Sequence, residues 1–276
     1  MSQDSFAHCE ALVRRADYDR YLSVLLAPAE ARSHLFALYA FNCEAARTAE
    51  SVSQPLIGQI RLQWWRDAIE EIYAGGLRRH EVVRVLAKTV GARELPRELF
   101  HALLDARESD LDETPFVTWA DFEAYADATS GNLMRMAARI IGAGHTIDEA
   151  AREAGIAYAL AGLLRALPFH AARRRLMLPL EALRAVSLSQ EQVFSGVMDE
   201  KISALIRLAV ERAKEHLGKI PRVKRALLPA ILPAALAPLY LRKVTQRRFD
   251  PFRDSAGVSI HRRQFAMLRA LIRGRL

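Results

Sequence analysis

Hydrophobic positions recur at intervals of three and four along most of the chain, with polar and charged positions between them. This spacing places the hydrophobic side chains on one face of an α-helix and predicts helices with one buried side. The segments that show it are 29–52, 56–73, 82–90, 99–111, 133–141, 202–217 and 264–273. Strand-like segments that alternate at regular spacing are absent. The pattern therefore predicts an all-α protein.

One predicted helix is hydrophobic on almost every face. It occupies 154–167 and continues past Pro168 into a basic run and the short exit Leu176-Met177-Leu178-Pro179. A helix of this kind is typical of the buried centre of a helical bundle. The chain has 276 residues and contains no repeat, linker or low-complexity segment. We therefore predict one domain, residues 1–276, organised around this helix.

Four stretches depart from the regular pattern. Residues 129–132 (Thr-Ser-Gly-Asn) predict a break between two helices, residues 180–200 predict short helical pieces, and residues 249–258 predict a loop. The hydrophobic segment 226–241 contains three prolines, and a membrane span needs about 20 predominantly apolar residues. We therefore predict a kinked, buried helix at 226–241.

The chain is basic. Its 40 Lys and Arg residues against 32 Asp and Glu residues give a net charge of +8, with a pI of about 9.8. This charge favours anionic partners such as nucleic acid, anionic lipid or phosphorylated small molecules. Only six of the basic residues are lysines, so the base composition of the genome is an equally good explanation. No module with interleaved basic and aromatic residues is present, and we expect no nucleic-acid partner.

The cysteines and the N-terminus bear on the cellular compartment. Cys9 and Cys43 cannot form a disulfide framework and are not part of a C-x-x-C pair, which favours a reducing environment. The first residues include Asp4 and are followed by no apolar run, so no secretory signal is visible. Both features predict a cytoplasmic location.

Residues 258–276 predict a basic amphipathic tail helix. Hydrophobic side chains fall on one arc of this helix and arginines on another, which is the pattern of an interfacial helix drawn to anionic lipid. A basic-faced helix packed on the bundle fits equally well. The hydrophobic arc comprises Phe265, Leu268, Leu271 and Ile272, and the basic arc Arg262, Arg263, Arg269 and Arg273. The residues expected to face a membrane are Arg262, Arg263, Phe265, Leu268, Arg269 and Arg273.

Several groups of residues resemble the signatures of one protein family. They are Ala37-Leu38-Tyr39-Ala40-Phe41, Trp65-Arg66 and, on the central helix and its exit, Ala154, Gly155, Ala157, Leu160, Arg165, Leu178 and Pro179. Through these residues the chain resembles the squalene/phytoene synthase family from about residue 18 to residue 245. The resemblance implies an isoprenoid-synthase-type helical bundle.

The positions at which this family carries its metal ligands differ in this chain. The paired aspartates of the first signature fall on Ala46 and Glu50, and the Asn-x3-Asp-x3-Asp of the second falls on Gly162, Ala166 and His170. In the family, carboxylates four residues apart on two facing helices hold Mg²⁺, which draws off a diphosphate leaving group. Only Glu50 remains. The resemblance therefore implies a bundle without its metal site, and we expect no catalytic residue, no metal and no cofactor.

A narrower resemblance concerns the sequence around both signatures. LRALPFH at 164–170, the arginines at 173–175 and ESVS at 50–53 are similar to a non-catalytic branch of the family. That branch contains a mitochondrial respiratory complex I assembly factor and its bacterial relatives. It implies a pseudoenzyme that binds and assembles NADH dehydrogenase, peripheral on the inner face of a bacterial inner membrane.

Two other functions remain open. The chain could be an active prenyl-diphosphate head-to-head synthase with a rewired site, using Glu50, Asp110 and arginines in place of the aspartates. It could also be an isoprenoid or lipid carrier that uses the apolar tunnel of such a bundle. Product analysis distinguishes an active synthase from an assembly protein. The sequence does not distinguish a lipid carrier from an assembly protein.

The arginines of the second signature are candidates for anion binding. Planar arginine side chains bind phosphate and carboxylate groups with paired hydrogen bonds. A solvated turn after the helix is the alternative, and His170, beside Pro168 and Phe169, is more typical of packing than of a ligand. Glu50 is expected near this pocket, paired with an arginine. The candidate anion-binding residues are Glu50, Arg165, His170, Arg173, Arg174 and Arg175.

Overall fold

The computed structural model describes residues 2–52, 54–112 and 114–276, and it contains helices and no strand within those ranges. The all-α prediction is confirmed. The α-helices are α1 Ser2–Ala16, α2 Tyr18–Leu25, α3 Ala29–Ala46, α4 Pro55–Tyr73, α5 Glu81–Arg93, α6 Arg97–Glu108, α7 Trp119–Ala126, α8 Asn132–Ile140, α9 Asp148–Ala172, α10 Leu180–Ala185, α11 Gln190–Phe194, α12 Glu200–Lys219, α13 Leu228–Ile231, α14 Ala237–Val244 and α15 Ile260–Arg273.

Helix α9 runs through the middle of the molecule, as the sequence predicts. It packs against α8, α12, α14 and the turn that precedes α8. Its first half, at Ala150 and Ala154, joins a hydrophobic cluster built mainly from α1, α3, α4, α5, α6 and α8. The remainder of the helix, from Ile156 onward, joins another cluster built mainly from α12 and α14. The helix is apolar on almost every face because it packs into both clusters.

The predicted break at residues 129–132 is wrong. Residues Asp127–Gly131 form a π-helical turn that connects α7 to α8 without interrupting the helical path. The hydroxyl of Thr129 donates a hydrogen bond to the carbonyl of Tyr125 at 2.8 Å. A Cβ added to Gly155 of α9 would lie 2.5 Å from the backbone nitrogen of Gly131. The widened turn thus brings two glycine backbones together where a break was expected.

Other boundaries agree with the sequence or differ locally. Helix α3 ends at Ala46 rather than near residue 52, and residues 47–50 form turns. The expected short helices at 180–200 and the loop at 249–258 are confirmed.

The proline-containing segment forms two short 3₁₀ turns and two α-helices, with a proline in the first turn of each of Leu228–Ile231, Leu232–Leu236 and Ala237–Val244.

Two helical stretches in the described residues are long and apolar enough to cross a membrane by length and composition alone. They are His145–Ala172 and Arg225–Val244, with 56% and 67% of their most apolar windows buried inside the protein. Burial of this extent is what core helices of a bundle show, so length and composition carry little weight for these two stretches.

Candidate functional site

A cavity of about 340 Å³ lies between the end of α3, the end of α6, the π-helical turn and the second half of α9. Its walls include Ala46 and Glu50 from the first signature and Gly162, Ala166 and His170 from the second. The two stretches that carry the family-like signatures therefore line the same cavity.

One wall of the cavity is a charged cluster around Asp110. The guanidinium of Arg107 donates to Asp110 Oδ2 at 3.0 Å and to the hydroxyl of Tyr125 at 2.7 Å. Tyr125 in turn donates to Asp110 Oδ1 at 2.9 Å, and Arg175 donates to the same oxygen at 3.0 Å. Burial raises the pKa of Tyr125, so the phenol stays protonated. One carboxylate is thus shared by two arginines, and the cluster keeps a net positive charge.

A second cavity of about 510 Å³ adjoins the first, and the two share Arg20, Ala46, Glu50 and Arg107. Arg20 is buried, pairs with Asp17 and lies 5.2 Å above the ring of Tyr158. The lining of the two cavities together includes six arginines, against three carboxylates from Asp17, Glu50 and Asp110. The six are Arg15, Arg20, Arg47, Arg107, Arg173 and Arg175. The cleft is electropositive and suits an anion.

His170 adds a neutral polar group to this cleft. Burial and the neighbouring Arg175 lower the pKa of its imidazole to about 4, so the ring is uncharged at neutral pH. Its Nδ1 atom is buried and has no hydrogen-bond partner among the described residues. The ring also packs edge-on against Phe169 at a centroid distance of 5.4 Å. His170 therefore packs as expected and keeps a neutral ring beside the arginines of the cleft.

The cleft does not fit a Mg²⁺ ion. Mg²⁺ prefers hard oxygen ligands in octahedral geometry. Three carboxylates line the two cavities, and two of them, Asp17 and Asp110, are paired with arginines, which leaves Glu50 alone. In the part of the chain that the structure describes, no group of three or more His, Cys, Asp or Glu side chains could hold a metal ion.

The structure separates the residues that the sequence assigned to one anion pocket. Glu50, His170, Arg173 and Arg175 line the first cavity. Glu50, expected to pair with an arginine, forms no ion pair within the described ranges, although Arg20 and Arg107 line both of the cavities that it lines. Arg173 lies 3.6 Å above the ring of Phe169 and leaves its charge unpaired by any described carboxylate.

Arg165 and Arg174 lie elsewhere, contrary to the expectation. Arg165 pairs with Asp19 at 3.2 Å and stacks on the ring of Tyr240 at 3.9 Å, because successive helix positions differ by about 100° and Arg165 is turned away from Ala166. Arg174 adopts a left-handed backbone conformation, with a φ of 53°. Its side chain consequently pairs with Glu191, outside the cavity.

Asp19 forms a second polar cluster on a neighbouring part of the α9 surface, which shares Tyr158 with the first cavity and which the sequence did not reveal. Its side chain is buried and accepts hydrogen bonds from Tyr240 at 2.6 Å, Arg263 at 2.8 Å, Arg165 at 3.2 Å and Tyr158 at 3.3 Å. These partners belong to α9, α14 and α15. The cluster therefore holds four helices together, counting α2.

Arg263 was expected to face a membrane, and the Asp19 contact shows that it faces inward. The other five residues of that expectation, from α15, are exposed or largely so. They are Arg262, Phe265, Leu268, Arg269 and Arg273.

Several residues of the cleft were missed as binding residues by the sequence, among them Arg15, Arg20, Arg47, Arg107, Tyr125 and Tyr158. Arg107 precedes Asp110 by three positions, which is the spacing of a helical ion pair and was a usable signal. On sequence alone, Asp110 is a candidate only in the alternative of an active synthase with a rewired catalytic site. Arg20 carried no comparable signal, since an arginine next to two acids is most often on the surface.

Comparison with known proteins places the chain among relatives of two kinds. A family model described as squalene/phytoene synthase matches residues 13–264. NADH dehydrogenase (ubiquinone) complex I, assembly factor 6 from Bos taurus is 33% identical over 253 residues, covering 90% of this chain and 76% of that protein. The human protein of the same name is 32% identical with the same coverage. The 15-cis-phytoene synthase of Synechococcus elongatus is 26% identical, covering 98% of this chain and 94% of that protein.

Solved structures show the same fold. A dehydrosqualene synthase in complex with ligand superposes with a TM-score of 0.87 at 18% identity, covering 99% of this chain and 96% of that one. The squalene synthase HpnC from Alicyclobacillus acidocaldarius superposes with a TM-score of 0.74 at 17% identity, covering 99% and 95%. These superpositions establish the helical architecture and leave the activity to be argued from the site.

Proposed function

Because the chain belongs to the squalene/phytoene synthase family and matches complex I assembly factor 6 at higher identity than the phytoene synthase compared above, we propose that it is an assembly factor for a respiratory NADH dehydrogenase. We further propose that it does not condense prenyl diphosphates. In this proposal it is a pseudoenzyme that keeps the bundle of the family and uses the cleft for binding.

One observation carries the second part of this proposal. The two helical faces that meet across the cavity present Ala46, Gly162 and Ala166, whose side chains offer no metal ligand. Glu50 is a single carboxylate, and His170 is a poor ligand for Mg²⁺. Removing even one oxyanion-stabilising donor from an enzyme costs about 3 kcal/mol of transition-state stabilisation. Loss of most of a metal site is expected to cost far more than the loss of one such donor.

The cleft that remains is suited to binding an anion without a metal. Arg20, Arg107 and Arg175 are held by Asp17, Asp110 and tyrosines, so their positions are fixed before a ligand arrives. Arg173 and Arg47 line the same space and have no carboxylate partner among the described residues. Charge-assisted hydrogen bonds from arginine to carboxylate or phosphate are among the strong ones in proteins. The cleft is therefore proposed to hold an anionic group of the client or of a small ligand.

The cellular part of the proposal is tested in a deletion strain. We expect membranes from this strain to oxidise NADH more slowly, and we expect the full-length tagged protein to co-purify with NADH dehydrogenase subunits from wild-type membranes. Complementation with the wild-type gene is the control. Normal NADH oxidation together with a loss of carotenoid or hopanoid would contradict the proposal and favour the synthase alternative.

The biochemical part is tested with the purified chain. Farnesyl or geranylgeranyl diphosphate and Mg²⁺ are incubated with the protein, and an active phytoene synthase is assayed in parallel. We expect no condensed product above background, because the helical faces across the cavity lack the ligands for the metal. A clear yield of C30 or C40 hydrocarbon would overturn this part of the proposal.

A further inference from the structure

The positive charge of the chain is concentrated at its C-terminal end. Residues 219–276 contain 14 of the 40 Lys and Arg residues but only two of the 32 Asp and Glu residues, which gives this part a net charge of +12. The preceding 218 residues have a net charge of −4. A genome-wide preference for arginine would not produce this separation. A surface of one sign attracts partners of the opposite sign.

Most of these charges have no partner among the residues that the structure describes. Arg222, Arg262, Arg269, Arg273 and Arg275 are exposed, and none of them forms an ion pair with a described residue. Arg263 is the exception in α15, since it pairs with the buried Asp19 at 2.8 Å. The outward arginines are therefore available for a partner.

Exposed hydrophobic side chains lie directly beside these arginines. Phe265, Leu268 and Ile272 are 67%, 44% and 71% exposed. Their helical positions form a stripe along the outward side of α15, and Arg262, Arg269 and Arg273 form a neighbouring stripe within about 100° of it. Apolar and basic stripes next to one another on an exposed helix are typical of helices that lie in the interface of a bilayer.

Two shallow grooves extend the same surface onto neighbouring elements. One, of about 210 Å³, lies between α14 and α15, and includes Pro238, Leu239 and Arg269. The other, of about 190 Å³, includes Arg222 and residues around the end of α12. The two grooves share Arg275 and Leu276. Each has an apolar lining with arginines at its rim. We name α15 together with these two grooves the basic face.

Helix α15 is held firmly while it presents this face. Met267 and Ala270 are buried against the bundle, and Arg263 is fixed by Asp19. The exposed side is therefore preorganised, and docking requires no unfolding of the helix.

We propose that the basic face docks the protein on anionic phospholipid bilayers. Phe265, Leu268 and Ile272 enter the headgroup zone, and the arginines bind lipid phosphates. A nucleic acid would engage the arginines and leave three apolar side chains in water, so a bilayer accounts for more of the surface. The two apolar grooves are suited to the acyl chains of lipids at the docking surface. This inference does not depend on the assembly function, because it concerns a different part of the molecule.

The test is co-sedimentation of the full chain with vesicles. One set is pure phosphatidylcholine, and in the other about a third of the lipid is phosphatidylglycerol. We expect binding only to the anionic set, with a steep loss at high salt because surface charges are screened. The triple variant Arg262→Gln, Arg269→Gln, Arg273→Gln is expected to bind about a hundredfold more weakly, from the attraction of three arginines to an anionic surface.

A matched control removes the same charge elsewhere. Arg79→Gln, Arg184→Gln, Arg207→Gln changes three exposed arginines outside residues 219–276 and is expected to bind within about threefold of the wild type. A second variant, Phe265→Ser, Leu268→Ser, Ile272→Ser, is expected to keep its salt-dependent attraction and to bind more weakly at limiting vesicle concentration, because the apolar contribution to affinity is lost. Circular dichroism and melting temperature establish that each variant is folded.

Three results would overturn the proposal. They are absence of wild-type binding to anionic vesicles, equal loss in the two arginine variants, and undiminished binding by the α15 arginine variant. Deletion of the tail is a poorer test, since it would uncover the bundle surface on which Met267 and Ala270 pack and would leave Asp19 without Arg263.

Discussion

Two sides of helix α9 hold charged groups in different ways. On one side Asp19 is buried and accepts four hydrogen bonds, two of them from the arginines Arg165 and Arg263. On the other side Gly162 and Ala166 leave space, and the charges around that space are mainly arginines. The first arrangement binds helices to one another, whereas the second leaves an electropositive cleft that suits an anion.

The contrast explains which arginines belong to the candidate site. Arg165 and Arg173 both follow the family-like signature, and sequence alone treats them alike. Arg165 forms an ion pair with the buried carboxylate of Asp19 and helps to hold the helices together. Arg173 packs on the ring of Phe169, and no described carboxylate pairs with its charge. The position of an acid 146 residues away decides the role of Arg165. An arginine near the signature therefore belongs to the candidate site only where the fold directs it towards the cleft.

The largest expected effect comes from removing the charge of Asp19. The substitution Asp19→Asn leaves Arg165 and Arg263 without their carboxylate and should lower the free energy of unfolding by about 3 kcal/mol, because an unpaired buried charge is costly. Urea denaturation measures it.

The matched control for this prediction is Asp67→Asn, whose side chain is 50% exposed and lies 3.9 Å from Arg78. It should cost no more than about 0.5 kcal/mol. A loss below about 1 kcal/mol for Asp19→Asn would show that the cluster is not a structural centre.

The second prediction uses two glycines of α9. In Gly155→Ala the new methyl group would lie 2.5 Å from the backbone of Gly131, and the free energy of unfolding should fall by about 2 kcal/mol through overpacking. In Gly162→Ala nothing lies within 4 Å of the new Cβ. This control should be neutral or gain up to about 1 kcal/mol from helix propensity. Equal effects at the two positions would contradict the close contact between α9 and the π-helical turn.

The fold was more accessible from the sequence than the site. Periodicity located the helices and the buried centre, because burial of α9 by two clusters leaves a direct trace in its composition. The π-helical turn could not be predicted in this way. Thr129, Ser130 and Gly131 resemble a helix break in the sequence, and only the structure shows that Gly155 packs against the backbone of Gly131. Asp19 and Arg20 are adjacent in the chain yet serve different clusters, and only tertiary contacts separate them.

The third prediction compares neighbours at the end of α9. Arg173→Gln should weaken binding of inorganic pyrophosphate about fivefold, since it removes a cavity-lining charge with no described carboxylate partner. Arg174→Gln should leave binding within about twofold, because that side chain pairs with Glu191 outside the cavity. Isothermal titration calorimetry with the full chain measures both. Equal weakening by the two substitutions would show that only net charge matters at this end of α9.

The smallest expected effect is the pH dependence contributed by His170. Burial and Arg175 lower the pKa of its imidazole to about 4 in the folded protein, against about 6.5 in the unfolded chain. The unfolded chain therefore binds the proton more tightly, and the free energy of unfolding should fall as the pH drops from about 6.5 towards 4.

His170→Gln removes this contribution. The difference in unfolding free energy between wild type and variant should be constant above about pH 7 and should shift against the wild type by about 0.5 kcal/mol near pH 5.5, allowing for partial solvent exposure. In NMR titration the ring of His170 should remain neutral at pH 5. Protonation near pH 6.5 would instead mean that the ring is solvated, and it would contradict the assignment of a neutral His170 side chain to the cleft.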